Sequence, residues 1–222
     1  MSLIYTPTGK AREYSPLALN VYTGGCEHQC TYCYCRSLGK WTATPRVRPL
    51  NGLAEEARHA DRQILLSFMA DSYGPIERDA RNTRRALQIL RDARCSVAIL
   101  TKGGQRCLDD LAMFRDWPDG RIKVGATLTF MDAKRSREVE PGAADPDDRL
   151  TALWRLHFAG VKTWVSIEPV LDADQSLACI RESLPFVDAY KVGKLNHQRN
   201  DTDWRRFCVA AVEMIRGLGR RL

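Results

Sequence analysis

The sequence predicts an α/β protein built as a partial (β/α)6 TIM-type barrel with parallel strands. Six short apolar runs, rich in Val, Ile, Leu and Thr, alternate with longer segments of helical period. At 222 residues the chain is long enough for one full core but short for a closed barrel of eight units. Right-handed crossovers place the C-terminal ends of parallel strands on one rim, so we expect the functional site at that rim.

Each predicted element follows from a local pattern. The six strands are expected at residues 17–22, 63–68, 96–101, 123–129, 162–167 and 189–192. Between them, apolar residues recur at spacings of 3 or 4 residues over 76–90 and, less regularly, over 150–161, which indicates helices. A last helix is expected within 201–218, with Asp201 or Thr202 as its N-cap.

Composition limits the class of protein. No Pro/Ser-rich linker or low-complexity tract divides the chain, so we expect one domain over 1–222 with its core at about 14–200. No run approaches the roughly 18 apolar residues of a membrane span, and the N-terminus lacks the apolar run of a signal peptide, which favours a cytoplasmic location. The formal net charge of +7 is consistent with a polyanionic partner.

Eight cysteines are present, and four of them lie within ten positions in the stretch GGCEHQCTYCYC. Because the cytoplasm keeps thiols reduced, the cluster points to a metal or to catalysis more than to disulfides. The remaining four are expected to be small buried apolar side chains: Cys95, Cys107, Cys179 and Cys208.

The clustered thiols have the spacing C-x3-C-x2-C, formed by Cys26, Cys30 and Cys33 just after the first predicted strand. Three thiolates can hold three irons of a [4Fe–4S] cluster and leave the fourth iron open to a small ligand. The alternative is a closed structural zinc site that recruits His28 or Cys35. No second C-x2-C or H-x3-H pair follows, which favours the open cluster and leaves Cys35 spare.

The motif CEHQCTYC resembles the radical S-adenosylmethionine superfamily. The segments YSPLALNVYTGGCEHQCTYCY, LSFMADSYGPIE, AILTKG, EPGAADPDDRL and SIEPVL together resemble the branch that contains spore photoproduct lyase, over roughly residues 14 to 196. The resemblance implies that the open iron binds S-adenosylmethionine and that its cleavage gives a 5′-deoxyadenosyl radical, which takes a hydrogen atom from an inert C–H bond. It also implies an electron donor such as flavodoxin or ferredoxin.

The same resemblance implies a set of cofactor-binding residues. After the second strand, Ala70, Asp71 and Ser72 would contact the methionine end of the cofactor, Lys102 would pair with its carboxylate, and Thr127 would face the ribose. Tyr32 and Tyr34, inside the cysteine motif, complete this set. The sequence supports two of these residues independently of the resemblance. Asp71 and Lys102 each follow an apolar run and are therefore expected on the rim, where a carboxylate and an ammonium could bind a zwitterionic amino acid.

Two further residues are candidates for catalysis. Glu168 ends the fifth predicted strand and so points toward the mouth of the barrel. The lyase branch carries a hydrogen-donating cysteine near the end of its second strand, but residues 64–73 contain none, and Tyr73 could supply the hydrogen atom instead. For Glu140 and Arg149 a structural role, in a turn or an ion pair, is the stronger expectation.

The rim loops predict a nucleic-acid partner, because basic groups follow three of the strands. They are Arg36, Lys40, Arg46, Arg48, Lys134, Arg135, Arg137, Lys194 and Arg199, with Trp41 and Phe130 as stacking surfaces for an exposed base. The first hypothesis is therefore hydrogen abstraction from a modified thymine-type base in DNA, either a rearrangement in phage-type hypermodification or lyase-like repair. The alternatives are a radical enzyme for a peptide or small metabolite, and a zinc-stabilised nucleic-acid-binding module.

Overall fold

The computed structural model describes residues 2–38, 41–195 and 201–217. The strands of this part of the chain are β1 (Ile4–Tyr5), β2 (Leu17–Leu19), β3 (Tyr22–Thr23), β4 (Arg46–Val47), β5 (Ile64–Leu66), β6 (Val97–Thr101), β7 (Ile122–Thr127), β8 (Lys162–Val170) and β9 (Ala189–Lys194). Its α-helices are α1 (Leu53–Arg58), α2 (Glu77–Ala80), α3 (Asn82–Asp92), α4 (Leu111–Arg115), α5 (Ala133–Val139), α6 (Pro146–Phe158), α7 (Ala173–Ser183) and α8 (Trp204–Arg216).

The main sheet has seven strands in the order β1-β2-β5-β6-β7-β8-β9. Every pair from β2 to β9 in this order is parallel, and only the short β1 joins β2 in the antiparallel sense. Among the described residues β1 and β9 do not pair with each other, so the barrel stays open on that side. The six predicted parallel strands and the partial (β/α)6 barrel are confirmed.

Two short pairings were missed by the sequence patterns. The first predicted strand ends at Leu19, and Tyr22 instead begins a separate antiparallel ribbon in which β3 pairs with β4. The strand β1 also carries no detectable signal, because two residues are too few to display a period. The ribbon matters for function, since it leads directly into the cysteine loop.

The sheet has one face covered by helices and one inner face. Ile64 and Leu66 pack with Leu87 of α3 in the large core between sheet and helices. Leu65, between them in sequence, points to the other side and packs with Trp164 in a small inner core. Side chains with this second parity therefore face the interior of the open barrel.

The remaining expectations are met in part. Cys95, Cys107 and Cys179 are buried free thiols as predicted, but Cys208 is exposed on α8. The N-cap of α8 is Asp203, whose carboxylate accepts from the Arg206 N–H, and not Asp201 or Thr202. No helix in the described part of the chain has the length and apolar character needed to cross a membrane. The single-domain boundaries stay a prediction.

Candidate cofactor site

The cysteine loop leaves β3 through a tight glycine turn. Gly24 has a φ of +78°, in the left-handed region that favours glycine. A Cβ on Gly25 would come within 2.5 Å of the Thr42 carbonyl oxygen, because the chain after the loop returns across it. The Cys26 N–H donates to that same carbonyl at 3.1 Å, so residues 42–44 brace the start of the loop.

The three predicted ligands lie on this one loop, with Cys26 and Cys33 half-buried and Cys30 buried. Burial raises the pKa of Cys26 to about 11, with Asp71 adding to the rise, whereas a hydrogen bond from Cys35 lowers the pKa of Cys33 to about 6. In the part of the chain that the structure describes, no three His, Cys, Asp or Glu side chains gather as one metal ion requires. A four-iron cubane binds each thiolate to a different iron, so three thiols on one loop would suit such a cluster.

His28, considered above as a zinc ligand, instead fastens the loop to its neighbours. Its Nδ1 lies 2.9 Å from the Gly142 carbonyl oxygen and its Nε2 lies 3.1 Å from Asp71 Oδ2. The Gly142 N–H donates back to the His28 carbonyl at 3.0 Å. A Cβ on Gly142 would lie 2.0 Å from the Glu27 carbonyl oxygen, so only glycine permits this close approach. His28 is therefore a structural latch.

Asp71, at the end of the loop after β5, receives four contacts from polar groups. Its Oδ1 accepts from the Thr101 hydroxyl at 2.6 Å and from the Tyr73 N–H at 2.8 Å. Its Oδ2 accepts from the Lys102 N–H at 2.7 Å and faces His28. Burial raises the pKa of Asp71, but His28 and these hydrogen bonds outweigh burial and hold the pKa far below its usual range. Both oxygens are occupied, so a contact to a cofactor here would come from the loop backbone.

Lys102, after β6, belongs to a buried network with three other side chains. The Tyr32 hydroxyl donates to Glu140 Oε1, and Lys102 Nζ lies 3.9 Å from the same oxygen. Arg149 Nη2 lies 2.7 Å from Glu140 Oε2. Burial lowers the pKa of Lys102, but Cys30 and Glu140 outweigh burial and raise it, so the ammonium keeps its charge. The structural ion pair expected for Arg149 is present, but the sequence did not indicate that its partner is Glu140 or that Lys102 and Tyr32 share this carboxylate.

The structure does not bring two of the predicted residues to the site. Tyr73, expected as a hydrogen donor, is buried in the core beneath the helices, where its hydroxyl donates to Asp110 at 2.9 Å. Its ring fills the outer layer, so the catalytic prediction for Tyr73 is wrong. Ser72 is fully buried and its hydroxyl lies 3.0 Å from that of Ser67. By contrast, the exposed Tyr34 hydroxyl donates to the Phe68 carbonyl at 3.0 Å, at the mouth of the barrel.

Thr127 and Glu168 lie on the inner face of the barrel. Thr127 pairs in register with Ser166, and both have the inward parity of Trp164. Glu168, two residues beyond Ser166, accepts from the Tyr14 hydroxyl. Burial raises the pKa of Glu168, partly offset by Lys191. The roles proposed for Thr127 and Glu168 stay predictions, and Tyr14 is an inner-face residue that sequence reasoning missed.

The basic rim predicted from sequence is largely engaged by the protein itself. Arg135 pairs with Asp172 at 3.0 Å and Arg137 pairs with Asp145 at 2.8 Å. The Arg48 guanidinium donates to the Ser2 carbonyl at 3.1 Å. Six of the predicted basic residues are exposed, the two in ion pairs included: Arg36, Arg46, Lys134, Arg135, Arg137 and Lys194. Lys40 and Arg199 lie outside the described residues.

The predicted stacking surfaces also differ from expectation. Phe130 is buried, and the Arg135 guanidinium covers its ring at 4.5 Å from the centroid. It cannot receive a base, so that prediction is wrong. Trp41 is half-buried.

A cleft of about 560 Å³ lies along the open side of the barrel, between Tyr14, β9 and α8. Three lysines line it, and each has its ammonium over an aromatic ring. Lys123 Nζ lies 5.2 Å from the Trp164 ring centroid, Lys191 Nζ 4.6 Å from that of Tyr14, and Lys194 Nζ 4.6 Å from that of Trp204. The sequence carried one signal for this cleft. Lys123 and Lys191 interrupt apolar strands at positions whose side chains alternate toward the inner face of the barrel.

Comparison with solved structures defines the class of fold. The structure is similar to Streptococcus suis SuiB bound to S-adenosylmethionine, with a TM-score of 0.71 and 12% identity, covering 92% of this chain and 49% of that one. It is also similar to a spore photoproduct lyase mutant with bound AdoMet and dinucleoside spore photoproduct, with a TM-score of 0.67 and 16% identity, covering 90% of this chain and 61% of that one. The chain therefore has the partial-barrel fold of these proteins, as the resemblance implied, but spans about half of SuiB and less than two thirds of the lyase.

Sequence comparison identifies a relative. The chain is 30% identical over 185 residues to the uncharacterized protein MJ0683 of Methanocaldococcus jannaschii, covering 80% of this chain and 70% of that protein. The chain belongs to the same family as this protein. No family model matches the sequence.

Proposed function

We propose that this protein is a radical S-adenosylmethionine enzyme that abstracts a hydrogen atom from a modified thymine-type base in DNA. The observation that carries the proposal is the placement of a charged Lys102 beside a loop of three thiols, held there by the buried network of Glu140, Arg149 and Tyr32. When bound and reduced, the cluster and S-adenosylmethionine would supply the 5′-deoxyadenosyl radical.

The residues of the site fit the two groups. Cys26, Cys30 and Cys33 offer three thiolates from one loop, which leaves one iron of a [4Fe–4S] cluster for the amino acid end of the cofactor. The Lys102 ammonium is the cation that would receive the cofactor carboxylate. Thr127, which has inward parity at the end of β7, and Tyr32 and Tyr34 of the cysteine loop would complete the cofactor contacts.

The cleft along the open side of the barrel supports a nucleic-acid substrate better than the rim loops do. A groove of positive charge with aromatic side chains suits a chain of phosphates and bases, because ammonium groups pair with phosphates and rings stack on bases. The Lys191 ammonium also pairs with Glu13 at 2.9 Å, so a phosphate would compete with that carboxylate for Lys191. A base would compete with the lysine for the half-buried Tyr14 ring, a contact of about 0.5 to 2 kcal/mol.

The cleft also bears on the type of reaction. Glu168 and the Tyr14 hydroxyl lie together on the inner wall, where they could hydrogen-bond a base edge. Residues 64–73 contain no cysteine, and Tyr73 lies in the outer core, so the expected donor for returning a hydrogen atom to a repaired base is missing. This favours a rearrangement or isomerisation of a thymine side chain over lyase-like repair.

The proposal is tested by anaerobic reconstitution with iron and sulfide, reduction with dithionite, and quantification of 5′-deoxyadenosine with and without thymine-modified DNA. Cys30→Ala should abolish cleavage, whereas Cys35→Ala should retain it because Cys35 is the spare thiol. Cleavage that requires Cys30 and rises with DNA supports the whole proposal. Cleavage that does not change with DNA would favour a peptide or small metabolite as the substrate. The absence of cleavage would refute the proposed enzymatic activity.

The cleft is tested separately through DNA affinity. Lys123→Met removes an ammonium inside the cleft, and Lys134→Met removes an exposed one from a rim loop. We expect the first variant to bind a thymine-containing oligonucleotide about fivefold more weakly and the second to bind like wild type, since each phosphate contact contributes to affinity and to its salt dependence. Equal losses in both variants would refute the cleft as the DNA site.

A further inference from the structure

The buried network beside the cysteine loop contains two cations for one carboxylate. Glu140 is 1% exposed and Arg149 is 1% exposed, and their ion pair of 2.7 Å is the shorter of the two ion pairs that Glu140 makes in the network. The Lys102 ammonium, 3.9 Å from the other carboxylate oxygen, is the more distant cation. The network therefore carries one surplus positive charge, and the spacing leaves that surplus on Lys102.

Arg149 cannot turn away from this position. Its Nε donates to the Ala144 carbonyl at 2.7 Å and its Nη1 donates to the Thr127 carbonyl at 2.9 Å. The guanidinium is thus held on three sides, two by backbone oxygens and one by Glu140. Because a backbone carbonyl carries no full charge, Glu140 is the only anion here that Arg149 neutralises among the described residues.

Lys102 is fixed just as firmly through its backbone. Its N–H donates to Asp71 at 2.7 Å, and its carbonyl accepts from the Ala144 N–H at 2.9 Å. The ammonium lies 5.7 Å from the centroid of the Tyr32 ring, and 18% of the side chain remains exposed. The ion pair of Lys102 with Glu140 is long, at 3.9 Å, and Arg149 already neutralises that carboxylate, so this half-buried ammonium is suited to an anion that arrives from outside.

We propose that Arg149 and Glu140 are positioning residues: Glu140 holds the Lys102 ammonium beside the cysteine loop, and Arg149 neutralises Glu140 so that Lys102 stays free to bind the carboxylate of S-adenosylmethionine. The inference rests on the proposed function. Arg149 would thus affect binding of the cofactor carboxylate through Glu140, without touching the cofactor itself.

The charge count predicts an unusual order among variants. Arg149→Met leaves Glu140 and Lys102 as a neutral pair, so the dissociation constant for S-adenosylmethionine should rise about tenfold or more, the loss of one charge-assisted contact. The double variant Glu140→Gln/Arg149→Met removes both charges but keeps an amide oxygen at position 140 to face Lys102, so it restores the surplus charge on Lys102 in the same position. It should recover most of that affinity although it contains two substitutions. A role in folding alone predicts that the double variant binds no better than the single one.

A matched control exists elsewhere in the fold. Arg84 pairs with buried Asp110 at 2.7 Å, and the Tyr73 hydroxyl donates to the same carboxylate. This trio has the same chemistry as Arg149, Glu140 and Tyr32 but no lysine and no cysteine loop. Arg84→Met should lower the midpoint of thermal unfolding yet leave the affinity for S-adenosylmethionine unchanged.

The experiment titrates S-adenosylmethionine into reconstituted wild type and the three variants, follows the electron paramagnetic resonance spectrum of the reduced cluster, and measures iron per chain and thermal unfolding. Weaker binding by Arg149→Met at full iron content, with recovery in the double variant, supports the inference. Equal binding by wild type and Arg149→Met overturns it. Loss of iron from Arg149→Met also overturns it, because Arg149 would then be needed to retain the cluster and not to keep Lys102 free for the cofactor.

Two outcomes separate the inference from the function on which it rests. A wild type that binds no S-adenosylmethionine refutes the proposed function, and the inference with it. A wild type that binds while the double variant remains as weak as Arg149→Met refutes the inference alone. If Arg149→Met does not fold, the double variant, in which no buried carboxylate or guanidinium is left unpaired, decides by itself: affinity close to wild type supports the charge count, and lost affinity overturns it.

Discussion

Substitution of Asp71 by Asn should destabilise the protein, because the carboxylate holds the loops of the site together. The side chain is 8% exposed, and three donors bond its two oxygens: the Thr101 hydroxyl and the backbone N–H groups of Tyr73 and Lys102. Thr101 must donate, because an ionised carboxylate has no proton to give. An Asn keeps the shape but has one acceptor oxygen, so the N–H of either Tyr73 or Lys102 loses its partner and faces an amide NH2 instead.

The magnitude follows from that count. One unsatisfied buried donor costs about 1 to 3 kcal/mol, so we take about 2 kcal/mol for Asp71→Asn. For a chain of this size, 1 kcal/mol shifts the unfolding midpoint by about 2 to 4 °C, so we expect a fall of about 4 to 8 °C. Thermal unfolding at pH 7 measures it. The matched control is Asp109→Asn, because Asp109 is 59% exposed and pairs with Arg81 only at 3.5 Å.

The pH dependence has a definite sign. The folded pKa of Asp71 lies below its unfolded value, so the carboxylate contributes stability that is present above the unfolded pKa of about 3.9 and is lost as pH falls through the folded pKa. Wild type should therefore lose stability in acid more steeply than Asp71→Asn does. An Asp71→Asn variant within 1 °C of Asp109→Asn at pH 7 would refute the reasoning.

Three further predictions follow from individual contacts. Gly142→Ala places a Cβ 2.0 Å from the Glu27 carbonyl oxygen, so the cysteine loop must move, and iron bound per chain after reconstitution should fall; wild-type iron content would contradict this. Tyr73→Phe loses the hydrogen bond to Asp110 and should cost about 1 kcal/mol in urea unfolding while leaving 5′-deoxyadenosine formation unchanged; a large fall in that formation would return Tyr73 to the site. Glu168 has a raised folded pKa, so ionisation above its unfolded pKa of about 4.3 lowers stability, and Glu168→Gln should gain stability relative to wild type as the pH rises through the folded pKa; a difference that shrinks with rising pH would argue against it.

The sequence patterns located the barrel because long parallel strands carry a strong local signal. The runs around 97–101 and 162–167 are continuous stretches of β-branched and apolar residues, as expected where helices and an inner core cover both faces. The ribbon of β3 and β4 was invisible for the opposite reason. Its two strands contain two residues each and lie more than 20 residues apart, so their pairing depends on tertiary contacts.

The site was predictable where a motif is local and not where it is assembled from distant segments. The cysteine spacing and the positions of Asp71 and Lys102 after strands could be read directly. The contact of Tyr32 with Glu140 spans 108 residues, and no local pattern indicates it. Tyr73 was misplaced because a position after a strand predicts the end of the barrel at which a residue lies. It does not predict whether the side chain points inward or into the outer core.

The most direct test of the central claim is the electron paramagnetic resonance spectrum of the reconstituted, reduced protein before and after addition of S-adenosylmethionine. Three thiolates from Cys26, Cys30 and Cys33 should hold a cluster with one iron open to the cofactor. We expect the signal of a reduced [4Fe–4S] cluster, absent from Cys30→Ala, that changes when the cofactor is added. A wild-type signal that stays the same with S-adenosylmethionine, or a protein that takes up zinc and no iron, would contradict it.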